Sequence, residues 1–154
     1  MRILFFSFLF LLASSTQALA EQNLSVVISE KQKLEMSETF SELNENDVTI
    51  KFISPENIYS CINDNYIIIV ATQKDKSFDF IKDKLSPSVL KNINNKGYGK
   101  YILLRDPWRE EQEVVLLIGD NDDTISLIRE KTWANWWSTV ANWFDINTMM
   151  VKPY

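Results

Sequence analysis

The chain has 154 residues, and 45% of them are hydrophobic, which is enough for one hydrophobic core but not for several. Its formal net charge of −5 at pH 7 disfavours nucleic acid and anionic lipid as partners, because both select basic surfaces. The absence of histidine excludes Ser-His-Asp and Cys-His catalysis and the usual zinc hydrolase sites.

Residues 1–20 have the organisation of a secretory signal peptide. Arg2 supplies a positive start, an apolar run follows over residues 3–13, and Ala18 and Ala20 form a small-x-small cleavage site. The apolar run is too short for a permanent membrane helix, which needs about 20 apolar residues. The sequence therefore predicts cleavage before Glu21, no transmembrane segment after cleavage, and a secreted or periplasmic location.

The mature chain predicts an alternation of strands and helices. Runs rich in β-branched and aromatic residues predict strands at 24–29, 48–53, 66–71, 100–105 and 113–118. Apolar residues three and four apart, with proline near some starts, predict helices at 31–43, 55–62, 77–85 and 123–144, with a further helical turn at 86–93. The run 66–71 is continuously apolar, which is typical of a parallel strand covered on both faces.

The connector between the last two strands sets the topology. It spans residues 106–112, which is too short for a crossover helix, so these two strands are expected to be antiparallel. The sequence thus predicts a single three-layer α/β domain over 21–146. Its sheet would be mostly parallel, doubly wound and flavodoxin-like, with about five strands, one antiparallel strand near the edge and a long C-terminal helix. Residues 147–154 form a tail without a clear period.

Gly97 and Gly99 flank Tyr98 in a short glycine motif. A phosphate-binding loop would need a third glycine and would join a strand to a helix, whereas this pair precedes a strand. The motif is interpreted as a tight turn, and no cofactor is predicted. Cys61, in the predicted helix 55–62, is expected to be buried and unreactive because no cation lies near it in the sequence.

Asp120, Asp122 and Asp123 form an acidic group between the last predicted strand and the last helix. Three carboxylates beside Asn121 are a weak candidate for a calcium site, although the spacing does not match an EF-hand. Acidic residues also belong at a helix N-terminus, where they oppose the helix dipole. We therefore expect a helix cap here, with no metal as the preferred interpretation.

Four of the five tryptophans fall in the last predicted helix: Trp133, Trp136, Trp137 and Trp143. Steps of 100° per residue place Trp136 on the buried face, and we expect Trp137 or Trp143 to stay partly exposed. Core packing, a contact surface for protein or glycan, and a helix lying on a membrane all suit this composition. Trp108, Trp137 and Trp143 are the candidate partner-binding residues.

The segment 97–108 (GYGKYILLRDPW) and the segment 114–124 (VVLLIGDNDDT) together resemble a pattern of S-layer-type cell-envelope domains. In that pattern a Gly-x-Gly strand ends in Asn-Pro-Phe or Asn-Pro-Trp, and the next strand ends in Gly-x-Asp before a helix. Segment 65–70 looks like the preceding strand of the same module. The flavodoxin-like domains of the periplasmic cellulose-synthase subunit family are similar in layout. The resemblance implies a non-catalytic envelope module.

The sequence predicts an exported, non-catalytic cell-envelope binding or scaffolding domain, S-layer-like, with an envelope protein or glycan as partner. Peripheral contact with a membrane is left open. The alternative is a small histidine-free hydrolase of glycosidase type, which needs two carboxylates across a cleft. Glu110, Glu111 and Asp83 are the carboxylates considered for that role.

Overall fold

A computed structural model describes residues 22–146. The predictions on the signal peptide, on cleavage before Glu21 and on the tail 147–154 concern residues that lie outside this range. The strands are β1 (Asn23–Val27), β2 (Thr49–Ile53), β3 (Tyr66–Thr72), β4 (Gly99–Arg105) and β5 (Glu113–Gly119). The α-helices are α1 (Glu30–Glu35), α2 (Ser37–Glu45), α3 (Lys76–Ile81), α4 (Pro87–Asn92), α5 (Asp122–Lys131) and α6 (Trp133–Trp143). Short 3-10 helices span Pro55–Cys61 and Lys82–Lys84.

The five strands form one sheet in the order β2-β1-β3-β5-β4. The pairs β1–β2, β1–β3 and β3–β5 are parallel, and β4 is antiparallel to β5 at the edge of the sheet. This arrangement confirms the predicted α/β class with a mostly parallel sheet. The antiparallel edge strand follows from the short connector, which can return the chain only beside its own strand.

Helices cover both faces of the sheet. The helices α1, α2, α5 and α6 lie on one face, and the 3-10 helix Pro55–Cys61 with α3 and α4 lies on the other. Alternate residues of β3 enter the two cores, Ile68 and Val70 on the first face and Ile67 and Ile69 on the second. Because successive side chains point to opposite faces, a strand buried on both must be apolar throughout, as this one is.

The predicted long C-terminal helix is present but divided at Thr132, between α5 and α6. The backbone of Thr132 leaves the helical region (φ −108°, ψ 13°). Its amide and its hydroxyl both donate to the carbonyl of Ile128, at 2.9 and 2.7 Å. A hydroxyl that bonds back to the preceding turn competes with the regular helical pattern. The predicted helix 31–43 is divided in the same way at Met36 (φ −103°, ψ 11°).

The parallel strands give the sheet two distinct ends. We call the end where β1, β3 and β5 finish the carboxyl edge, and it comprises residues 28–32, 72–75 and 119–122. We call the opposite end the amino edge, and it comprises residues 22–25, 49–51, 64–66, 105–113 and 143–144. Since β4 is antiparallel, its last residue and the connector to β5 belong to the amino edge. No helix in the described range 22–146 is long and apolar enough to cross a membrane.

Candidate functional site

The acidic group at the carboxyl edge forms separate contacts. Asp120 Oδ2 accepts hydrogen bonds from the Gly97 amide and from Asn121 Nδ2, both at 3.0 Å. Hydrogen bonding from the Thr124 hydroxyl, and then from the Gly97 amide, lowers the pKa of Asp120. The left-handed backbone of Gly97 (φ 77°) presents its amide to Asp120, so the glycine motif forms a turn as predicted.

Asp122 and Asp123 have different partners from Asp120. Asp122 accepts from Gln32 Nε2 at 3.3 Å and lies 3.4 Å from Lys31 Nζ. The side chain of Asp123 is 98% exposed. Within residues 22–146, no three Asp, Glu, Cys or His side chains are grouped so as to hold a metal ion. Both aspartates stand in the first turn of α5, where they oppose the helix dipole, and Asn121 accepts the Thr124 amide as the side-chain cap.

The remaining polar groups of the carboxyl edge bond to one another. Asp75 Oδ2 accepts both the amide and the hydroxyl of Thr72, at 2.6 and 3.0 Å. Gln32, which is fully buried, donates to Asp122 and accepts from Arg129 Nη1 at 3.4 Å. Ligands of parallel α/β proteins commonly bind at this end of the sheet. Here Asp75, Asn121 and Asp122 already accept hydrogen bonds from the chain itself.

The tryptophans at the start of α6 belong to the core. Trp133, Trp136 and Trp137 are only 7%, 0% and 2% exposed. The prediction that Trp137 belongs to a partner-binding surface is wrong, because its ring stacks on that of Trp133 one turn earlier, with centroids 5.1 Å apart and planes 10° apart. It thereby joins the cluster that covers one face of the sheet.

Trp143 differs from these three because it lies at the last turn of α6, at the amino edge. It is partly exposed, as predicted, and its ring stacks on Tyr66 with centroids 5.0 Å apart and planes 19° apart. Its Nε1 donates to Glu113 at the start of β5. The stack and the hydrogen bond together hold the indole in a defined position.

Trp108 lies in the connector 106–112, also at the amino edge but on the opposite face of the sheet from Trp143. It is partly exposed and packs against Phe80, with ring centroids 5.2 Å apart. Phe80 in turn contacts Tyr59, which is 68% exposed. Two of the three predicted partner-binding residues are therefore at the same end of the molecule and accessible.

A groove of about 880 Å³ opens at the amino edge. We call it the amino-edge groove, and it is lined by residues of β1, β2, β3 and the end of α6, including Tyr66 and Trp143. Asp64 is the carboxylate in its lining: it accepts the Ser25 hydroxyl at 2.5 Å and lies 4.0 Å from Lys51 Nζ. The charges of Asp64 and Lys51 therefore offset each other, and uncharged polar side chains such as Asn65 provide the rest of the polar lining.

A second cavity of about 360 Å³ adjoins this groove, and Tyr66 lines both. We call it the connector cavity, because residues of 105–106 and 111–113 form its wall. Asp106 and Glu111 have left-handed backbones, with φ values of 51° and 60°. Such a conformation costs a non-glycine residue about 1–3 kcal/mol and persists only where surrounding contacts impose it.

Gln112 provides the contacts that hold the connector in place. It is fully buried, and its Nε2 donates to the carbonyls of Ile62 and Asp64 at 2.9 and 2.7 Å. The main-chain carbonyl of Gln112 accepts a hydrogen bond from the Asp106 amide at 2.7 Å, which joins the two ends of the connector. These bonds join the connector to the loop before β3, so the groove and the connector cavity share a fixed wall.

Cys61 is buried at the end of the 3-10 helix, as predicted. Burial first, and the carboxylate of Asp64 second, raise the pKa of its thiol to about 11. Its Sγ donates to the Ile58 carbonyl at 3.1 Å. A thiol that stays protonated and buried is a poor nucleophile, so the cysteine contributes packing.

The carboxylates considered for hydrolysis do not surround the groove. Glu110 is exposed and lines neither cavity, and Asp83 is exposed on the 3-10 helix Lys82–Lys84. Glu111 lines the connector cavity beside Glu113, which pairs with Arg105 at 3.2 Å. The hydrolase alternative stays a prediction without a facing pair of carboxylates in the groove.

Comparison with known proteins returned no match to a family model, a curated protein or a solved structure. The resemblance to S-layer-type domains therefore stays a prediction. The function must be argued from the geometry of the amino edge.

Sequence reasoning missed the amino-edge groove and its place in the fold. The lining comes from separate parts of the chain, and no local motif joins them: Ser25 from β1, Lys51 from β2, Asp64 from the loop before β3 and Trp143 from α6. Ligands of parallel α/β proteins usually bind at the carboxyl ends of the strands, so the sequence pattern favoured the carboxyl edge. The signal that could have indicated the groove is Tyr66, an aromatic residue with a polar tip at the start of an otherwise aliphatic strand.

Proposed function

We propose that this chain is an exported, non-catalytic cell-envelope binding or scaffolding domain, S-layer-like in layout, that holds an envelope glycan in the amino-edge groove. The observation that carries the proposal is the stacked pair of Tyr66 and Trp143 within an open groove of about 880 Å³. Export rests on the predicted signal peptide.

The lining of the groove suits a sugar. Aromatic rings pack against the apolar face of a sugar ring, while amides and hydroxyls meet its hydroxyl groups. Tyr66 and Trp143 supply the rings, and Asn65 and Thr49 supply uncharged polar groups. The volume falls within the range of about 300–1,000 Å³ that is typical of ligand sites.

A binding role accords with the chemistry of the groove better than hydrolysis does. Glycoside hydrolysis uses two carboxylates on either side of the scissile bond. Asp64 is the carboxylate in the groove lining, and Ser25 and Lys51 already engage it. The described groove itself has no second carboxylate; the carboxylates of the adjoining connector cavity, Asp106, Glu111 and Glu113, come from one stretch of the chain, and Glu113 is paired with Arg105.

The test is calorimetric titration of the purified mature chain with neutral oligosaccharides of four to six sugars. Trp143→Ala should weaken binding at least tenfold, which corresponds to about 1.4 kcal/mol. Tyr59→Ala is the matched control, because it removes an exposed aromatic residue from another surface, and it should bind as the wild type does.

Three results would overturn the proposal: no oligosaccharide binds, Trp143→Ala binds as tightly as Tyr59→Ala, or the oligosaccharides are cleaved. Cleavage abolished by one carboxylate substitution would establish the hydrolase alternative. Binding of an envelope protein at Trp143, with no glycan bound, would assign the groove to the other predicted partner.

A further inference from the structure

The connector cavity extends the groove toward β4, the antiparallel strand at the side of the sheet. Tyr66 lines both, and the hydrogen bond from Trp143 to Glu113 joins a residue of the groove to a residue of the cavity. A ligand that covers Trp143 and continues along the amino edge therefore reaches the connector cavity.

The amino-edge groove and the connector cavity differ in net charge. In the groove, Lys51 and Asp64 offset each other. In the connector cavity one cation, Arg105, faces three carboxylates, those of Asp106, Glu111 and Glu113, which leaves a formal charge of −2 (+1 − 3). Arg105 is already paired with Glu113 at 3.2 Å.

Asp106 and Glu111 are therefore the carboxylates with unmatched charge. Neither has a cationic partner within 4.0 Å among residues 22–146. The hydrogen bonds of Gln112 fix the connector that carries them, and Gln112 Oε1, in the wall of the cavity, is buried without a hydrogen-bond partner in the described part of the chain. The cavity thus presents two negatively charged acceptors and an unpaired amide oxygen beside an aromatic platform.

We propose that the amino-edge groove takes a glycan with free amino groups, whose sugar face packs on Trp143 and whose ammonium groups meet the carboxylates of Asp106 and Glu111. This inference rests on the proposed function and adds the chemical class of the glycan. Hydrogen bonds between an ammonium and a carboxylate are charge-assisted and about twice as strong as neutral ones. The net charge of −5 of the whole chain attracts the same ligands at longer range.

The test compares two probes of equal length, a fully deacetylated and a fully N-acetylated β-1,4-glucosamine hexamer, titrated at pH 6 and low salt. The wild type should bind the amino form about tenfold more tightly. The double variant Asp106→Asn, Glu111→Gln should lose this preference while its affinity for the acetylated form stays unchanged. Exposed ion pairs are weak, so each carboxylate should account for about a threefold change in affinity.

The control variant is Glu110→Gln, which removes one negative charge from the same connector at a residue that lines neither cavity. It should keep the preference within about twofold. Asparagine tolerates the left-handed backbone as well as aspartate does, so the double variant should fold, and its circular dichroism spectrum and thermal midpoint verify this. Added salt should reduce the preference, because exposed charges are screened.

The outcomes separate this inference from the proposed function. Equal binding of the two hexamers, or equal effects of Glu110→Gln and the double variant, would overturn the inference and leave glycan binding in place. Failure of both hexamers, together with failure of the neutral oligosaccharides, would overturn both. Hexalysine, which carries ammonium groups but no sugar, is the competitor. If it displaces the amino hexamer from Trp143→Ala as strongly as from the wild type, the site selects charge alone, which contradicts a glycan ligand.

Discussion

Both edges of the sheet carry polar residues, but the two edges differ in what surrounds them. At the carboxyl edge, Asp75 accepts both polar groups of Thr72, and Gln32 bonds to Asp122 and Arg129. At the amino edge, an open groove and a second cavity lie beside Trp143 and the connector. The comparison teaches that polar groups alone do not mark a site: both edges engage theirs within the chain, and the open groove with its aromatic rings distinguishes the amino edge.

Helix starts explain this difference. In a parallel α/β sheet the helices begin at the carboxyl edge, and their free amides need caps. Ser29 and Asn121 meet that need for α1 and α5. The amino edge instead receives helix ends and the hairpin connector, so its aromatic and carboxylate side chains stay accessible.

The largest expected effect separates the core tryptophans from the one at the amino edge. Trp137→Ala should lower the free energy of unfolding by about 3–5 kcal/mol, because it removes a fully buried ring and leaves a cavity. Urea denaturation followed by circular dichroism measures this loss. Trp143→Ala, at a partly exposed residue, should lose clearly less stability. Equal losses would show that Trp143 is also a core residue.

The next effect tests whether the polar residues of the carboxyl edge stabilise the fold and take no part in binding. Gln32→Ala removes the buried amide between α1 and α5 and leaves its partners without hydrogen bonds, which should cost about 1–3 kcal/mol. The affinity for an oligosaccharide should not change. Lys31→Ala is the control, since it removes an exposed ion pair with Asp122 worth about 1 kcal/mol or less. A large loss of affinity in Gln32→Ala would place the binding site at the carboxyl edge.

A smaller effect concerns Cys61, buried at the end of the 3-10 helix Pro55–Cys61. Because the folded protein raises the pKa of this thiol from 9.0 to about 11, its contribution to stability is complete below pH 9 and decreases as the pH rises toward 11. The wild type should therefore lose more stability than Cys61→Ala between pH 9 and 11. Parallel pH profiles for the two proteins would contradict this.

The sequence predicts the layout of the sheet because that layout depends on local patterns. The continuous apolar run of β3 and the short connector before β5 were sufficient for the class and for the antiparallel edge strand. The division of the last helix depends on a hydroxyl of Thr132 that bonds to its own preceding turn. A hydrophobic pattern does not record that bond.

The candidate site is harder to predict from the sequence than the fold is. The exposure of Trp143 follows from its place at the end of a helix, whereas the burial of Trp137 depends on a stack with Trp133 that a helical projection alone does not reveal. The pairing of Arg105 with Glu113, which leaves Asp106 and Glu111 as the unmatched charges of the connector cavity, depends on contacts between separate strands.

The most direct test of the account is nuclear magnetic resonance of the ¹⁵N-labelled mature chain, titrated with the deacetylated hexamer. The account predicts that the indole N–H of Trp143 and the amides of Asn65, Tyr66 and Glu111 shift, while those of Thr72, Asp120 and Asn121 stay in place. Shifts concentrated at Thr72, Asp120 and Asn121, with Trp143 unchanged, would show that the carboxyl edge is the binding end and would contradict the account.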